Sequence, residues 1–236
     1  MERFWDARAR EDAFYFVDNR QPYRDVDREA FWARGEEELD LLLGALGLTV
    51  AGEDVVVEVG CGVGRLTRAL AARAQKVWAL DVSEEMLDRA RRLHRDLRDV
   101  LWIHGDGVTL ARVPSAVADA CVSHVVFQHI PDPEVTLGYV REMGRVLRPG
   151  GWAAFQVSND PAVHQPRPRP RPGGALAVAR ALVRRRPRGQ SNPAWLGSAV
   201  DLDDLRSAAQ EGGMAVERVV GAGTQFCAVL ARRRSD

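Results

Sequence analysis

Val55-Val56-Val57-Glu58-Val59-Gly60-Cys61-Gly62-Val63-Gly64-Arg65-Leu66-Thr67 is the stretch that decides how this chain folds. Four valines around one carboxylate make a short buried strand, which the glycines turn directly into a helix beginning near Val63. Glycine at 60, 62 and 64 permits a tight turn and lets a bulky ligand lie against the main chain. The pattern does not suit a pyrophosphate. Phosphate-cradling loops read G-x-G-x-x-G or G-x-x-x-x-G-K-[ST]. Here the third glycine comes one residue early, no Lys-Ser/Thr follows, and Glu58 sits two residues before the first glycine. A carboxylate at that point repels phosphate and favours a ligand with an ammonium group.

Outward from this turn, strands and helices alternate. Strand 55–59 leads to helix 63–73, strand 76–80 to helix 84–95, and strand 99–104 to a short connector. Strand 119–126 leads to helix 132–146, and strand 152–157 closes the series. Such alternation predicts βαβ units, hence an α/β, Rossmann-like, mostly parallel sheet with helices on both faces. Two amphipathic helices come first. One spans 4–19 with Phe4, Trp5, Ala9, Ala13, Phe16 and Val17 on one face; the other runs from Asp27 to about Leu46. The end of the chain predicts a helix opening at Asp201 and two strand-like runs, 214–220 and 225–231, forming a hairpin.

The organisation is therefore an N-terminal helical extension over 1–50, a Rossmann-like core over 51–160, an Arg/Pro-rich insertion over 161–200, and a closing helix and hairpin over 201–236. Within the insertion, Pro166-Arg167-Pro168-Arg169-Pro170-Arg171-Pro172 reads as polyproline II or a mobile loop, because alternate residues fix φ and lack an N–H. A short helix over 175–186 follows, and a second arginine cluster of Arg184, Arg185, Arg186 and Arg188 closes the segment.

Formal charge is balanced, which argues against a bulk polyanion binder. Cys61, Cys121 and Cys227 lie far apart with no C-x-x-C, so neither a disulfide framework nor a metal site is expected. The N-terminus lacks the apolar core of a signal peptide, and no apolar run is long enough to span a bilayer. The expectation is a cytoplasmic protein, monomeric or homodimeric, with no membrane partner.

The spacing E-x-G-x-G-x-G over Glu58–Gly64 resembles motif I of the class I S-adenosylmethionine (SAM) methyltransferases, and the likeness extends over roughly residues 54–157 and the final hairpin. It implies a seven-stranded sheet whose last strand is antiparallel, with SAM as cofactor, S-adenosylhomocysteine as product and no metal. Asp81, followed by Val82 and Ser83 and then Met86, matches the family's strand-end acid, which accepts from both ribose hydroxyls, and the thioether that packs on adenine. Gly105-Asp106-Gly107 matches the turn whose acid accepts from the adenine amine. Glu58, Gly60, Gly62 and Gly64 are implied for the methionine end, with Cys61 as a small residue in the loop and His124 at the tip of the fourth strand. Leu147-Arg148-Pro149-Gly150-Gly151-Trp152 resembles the turn before strand five.

An oxygen or nitrogen nucleophile calls for a base, and the candidates beyond strand four are His124 and His129, with Gln128 beside them. His129 either accepts the acceptor's proton or belongs to a structural H-x-P-D turn. Trp5, Tyr15 and Tyr23 either pack on the sheet or complete an acceptor pocket, as extensions of this kind do in relatives. The arginines of the insertion suit an anionic acceptor. The expected activity is methyl transfer from SAM to a small-molecule acceptor. The rivals are a nucleic-acid or protein methyltransferase guided by the basic insertion, and a SAM-binding partner without catalysis. The neutral net charge and the absence of an N-P-P-Y or D-P-P-Y element disfavour methylation of a base amine.

Overall fold

Strand β1 (Val55–Val59) is buried along its whole length, as a central parallel strand must be. It pairs in parallel with β2 (Lys76–Asp81) on one side and β4 (Ala118–Ser123) on the other. With β3 (Val100–His104), β5 (Leu147–Val157), β6 (Met214–Val220) and β7 (Cys227–Arg233) it forms a seven-stranded sheet in the order β3-β2-β1-β4-β5-β7-β6. β7 runs antiparallel to both of its neighbours. The strand order reverses between β1 and β4, and in open α/β sheets the ligand crevice lies there, beyond the carboxyl ends of the strands. The computed structural model describes residues 1–165 and 187–235. The Arg/Pro segment 166–172, expected as polyproline II or a mobile loop, and the helix expected over 175–186 lie outside them.

Alternation along β1 sorts the core into two layers. Val57 and Val59 join Phe127, Leu137, Val140, Met143, Phe155 and Leu205, under α5 (Pro133–Val146) and α7 (Leu202–Glu211). Val56 joins Leu39, Leu43, Leu66, Leu70 and Leu87, under α2 (Arg28–Leu46), α3 (Arg65–Ala71) and α4 (Glu84–Leu93). Glu58 shares the side of Val56, so its carboxylate enters the base of α3, where the Thr67 hydroxyl donates to it at 2.6 Å. The helices start where short polar side chains cap them. Asp27 accepts from Ala30 N, Ser83 from Met86 N, Asp132 from Glu134 N, and Asp201 from Asp203 N and Asp204 N.

Three boundaries moved for physical reasons. β4 stops at Ser123 rather than 126, because Val125 adopts φ 57, a left-handed conformation rare for a β-branched residue. β5 begins at Leu147 rather than 152, and the register slips between Ala118 and Ala120 to absorb the Arg148–Gly151 turn as a bulge. The helix expected from Val63 begins at Arg65, because Gly64 at φ 87 is its N-cap. The N-terminal helix α1 (Glu2–Val17) bends at Asp12, whose carboxylate accepts from Tyr15 N at 3.2 Å and Arg24 N at 2.6 Å. α1 lies against α4 and the β1–α3 turn, burying Ala9, Ala13, Phe31, Val63 and Met86 between them.

Candidate active site

A cleft of about 1630 Å³ opens at the carboxyl end of the sheet. Glu58, Gly60, Cys61, Gly62, Asp81, Val82, Met86, Gly105, Gly107 and His124 all line it, so most of the residues expected to hold the cofactor share one wall. At φ 80, Gly60 holds a conformation that disfavours any side chain, and a Cβ there would collide with Val126. The turn is fixed from β2. Leu80 O accepts from Gly60 N at 2.8 Å and from Cys61 N at 2.9 Å. The Asp81 carboxylate accepts from Gly62 N through one oxygen and Ser83 N through the other, both at 2.8 Å.

Two acids stand desolvated in this wall. Burial raises the Asp81 pKa to about 6 against its backbone hydrogen bonds. Glu58 is pushed up to about 7 by burial, against the Thr67 hydroxyl, with the neighbouring Asp81 charge adding to the rise. Both carboxyls gain from a ligand that brings donors or positive charge. Burial likewise raises the Cys61 thiol well above its ordinary range, so it is a packed side chain and no nucleophile.

Four expected residues lie elsewhere. Asp106 is absent from the cleft lining, because its own loop takes both oxygens: one accepts from Val108 N and Thr109 N at 2.8 and 2.7 Å, the other from the Thr109 hydroxyl at 2.5 Å. Gly64 faces backwards, and a Cβ there would stand 2.7 Å from His94 and 2.9 Å from Trp102, so this glycine serves packing. Tyr15 and Tyr23 pair edge to face at 5.3 Å away from the cleft, and the Tyr23 hydroxyl donates to Glu11 at 2.7 Å. Of the N-terminal aromatics, Trp5 and Phe16 reach the cleft.

The opposite wall collects distant segments. Trp195, on the short helix α6 (Pro193–Leu196), has its ring centre 6.3 Å from Trp5, 5.6 Å from Phe16 and 5.3 Å from His129. His129 lies in a 3-10 turn over Phe127–His129, and its Nδ1 meets Trp195 O at 2.9 Å. That carbonyl can only accept, so Nδ1 carries the proton and Nε2 keeps its lone pair. Burial lowers the His129 pKa to about 4 against the pull of that carbonyl, which keeps the ring neutral. Gln156 orders the neighbourhood from β5. Its Nε2 donates to Gln128 Oε1 at 2.9 Å and Gln225 O at 3.0 Å, and its Oε1 accepts from Val125 N at 3.3 Å. Gln128 Nε2 is thereby turned toward His129 Nε2, at 3.4 Å.

His124 lies against an acid. Its Nε2 lies 3.3 Å from Glu38, which Arg65 also reaches at 2.5 Å and Arg20 contacts on the other oxygen. Burial opposes ionisation of Glu38, yet His124 and Arg65 together hold its pKa down at about 2. Glu38, Arg20, Gln156 and Trp195 escaped the sequence reading. Only Gln156 carried a signal, as a lone polar side chain within the apolar run Trp152–Val157.

Comparison with known proteins agrees with this geometry. The family model described as "Methyltransferase domain" matches residues 57–155. An uncharacterized methyltransferase of Mycobacterium tuberculosis is 36% identical over 124 residues, which cover 52% of this chain and 59% of that one. A ubiquinone biosynthesis O-methyltransferase of Nitrosospira multiformis is 27% identical over 173 residues, covering 73% of this chain and 66% of its own length. The chain thus spans about three-fifths to two-thirds of these curated relatives. A SAM-dependent methyltransferase from Mesorhizobium loti superposes with a TM-score of 0.60 at 25% identity, over 83% of this chain and 97% of that one. Residues 57–155 thus match a methyltransferase domain, and the fold around them is similar to that of the SAM-dependent methyltransferases.

Proposed function

We propose that the protein transfers a methyl group from SAM to an oxygen or nitrogen of a small-molecule acceptor, with His129 as the proton acceptor. The observation that carries this reading is the pair of desolvated acids, Glu58 and Asp81, in the same cleft as a neutral histidine whose Nε2 bears a lone pair met only by the Gln128 amide at 3.4 Å. SAM fits the first wall. Its ribose hydroxyls add donors to an Asp81 carboxylate that faces the cleft with one backbone N–H on each oxygen, its ammonium suits Glu58, and the buried Met86 thioether lines the same wall for the adenine. Arg20 and Arg65 offer N–H groups to its carboxylate. When bound, SAM supplies a methyl group on a sulfonium, already an excellent leaving group.

The chain then has to align the nucleophile and dispose of one proton. The Trp5, Phe16 and Trp195 rings, packed on one another and on His129, hold an acceptor against that histidine. His129 Nε2 takes the proton of the attacking group. A base of low pKa suffices, because a hydroxyl becomes strongly acidic as its oxygen gains the methyl group. The name of the Nitrosospira relative supports oxygen as the atom methylated. The test is titration with S-adenosylhomocysteine, followed by a methyl-transfer assay over hydroxyl and amine acceptors. The proposal expects binding and turnover of at least one acceptor. Binding without any transfer would leave a SAM-binding partner protein instead.

A further inference from the structure

Exposed apolar side chains normally scatter singly over a protein surface. Here they gather at one place. Among the described residues, the exposed large hydrophobics are Met1, Leu41, Leu101, Val108, Val163, Val220 and Phe226, and all but Leu101 and Val108 line the active-site cleft. Leu41 is 70% exposed and Phe226 60% exposed. They stand on facing elements, since α2 packs on β6 and β7, whose connecting turn carries Phe226. With Ala45, Val220 and Ala228 they make an apolar groove continuous with the cofactor turn. The whole cleft, at about 1630 Å³, exceeds the roughly 300–1,000 Å³ of a pocket for one drug-sized ligand.

From this we infer that the acceptor is lipophilic, with a reacting head at His129 and an apolar body lying in the groove between α2 and the β6–β7 turn. The inference rests on the methyltransferase reading and names its acceptor class. A small polar acceptor would leave the groove wet and its exposed leucine and phenylalanine without a function. A strongly anionic one would find, among the described residues lining the cleft, only the arginines Arg20 and Arg65, which Glu38 and the carboxylate of SAM would already share.

The experiment titrates 4-ethyl-, 4-butyl- and 4-hexylphenol into the full chain saturated with S-adenosylhomocysteine, following tryptophan fluorescence. Affinity is expected to rise about threefold to fourfold per methylene as the tail enters the groove. In the double variant Leu41→Ser, Phe226→Ser the rise should flatten, while the affinity for S-adenosylhomocysteine stays unchanged. Chain-length independence, or an undiminished rise in the double variant, overturns the inference and leaves the methyltransferase reading standing. A dimer that the same substitutions dissolve would assign the groove to a second copy and also overturn it. Failure of S-adenosylhomocysteine itself to bind removes the activity reading, and this inference with it.

Discussion

The two walls of the cleft are built in opposite ways. The cofactor wall comes from the tips of adjacent strands: β1 gives Glu58 and the glycine turn, β2 gives Asp81, and the start of α4 gives Met86. Its geometry is fixed by sheet register and by main-chain bonds such as Leu80 O to Gly60 N and Cys61 N. The opposite wall, which we propose for the acceptor, comes from α1, the turn after β4, β5 and the segment holding Trp195, which are far apart in sequence. Its geometry depends on side chains: Gln156 orients Gln128, and the Trp195 carbonyl fixes the His129 tautomer. A register-built wall resists change and serves a constant ligand. A side-chain-built wall can be retuned to a new acceptor without disturbing the sheet.

Substitutions can break that contrast. Asp81→Asn removes the charged acceptor that both ribose hydroxyls would use, and should weaken S-adenosylhomocysteine binding about 100-fold in a calorimetric titration. Asp106→Asn, by comparison, should change that affinity less than about threefold, because its carboxylate serves its own loop. Equal losses at the two positions would mean that the loop reorganises around the ligand. On the acceptor wall, His129→Gln should lower kcat about 100-fold and leave S-adenosylhomocysteine affinity unchanged. Gln156→Leu acts through His129, and should lower kcat about fivefold. Its specific signature is a moved Nε2 resonance of the His129 ring in nitrogen NMR, with the proton still on Nδ1 as in the wild type. An unmoved resonance would show that Gln156 does not reach the ring through Gln128.

The same contrast explains what could be read in the sequence. That Glu58, Gly60, Gly62, Asp81 and Met86 would meet at one end of the sheet was legible because strand tips and tight turns impose residue types at short spacings. The sheet was legible because alternating buried strands and amphipathic helices carry strong periodic signals. Asp106 misled because a turn acid that caps its own loop looks, in sequence, the same as one facing a ligand. Tyr15 and Tyr23 misled because helical aromatics mark burial without saying on which side. Trp195 and Gln156 join the site through contacts between segments separated by many residues, and nothing local announces such a meeting. Val125 shows the same limit: its positive φ follows from its tertiary surroundings, Gln156 among them, and valine itself disfavours it.

Protonation tests the central claim most directly. Asp81 near 6 and Glu58 near 7 are partly protonated in the free protein at pH 6.5, whereas a ligand bringing hydroxyl donors and an ammonium group requires both as carboxylates. Titrating S-adenosylhomocysteine at that pH, in two buffers of different ionisation enthalpy, should therefore show protons released on binding. Affinity should rise between about pH 5.5 and 7.5 and level off above. Proton uptake on binding, or an affinity that falls across that range, would contradict the assignment of these two acids to the cofactor.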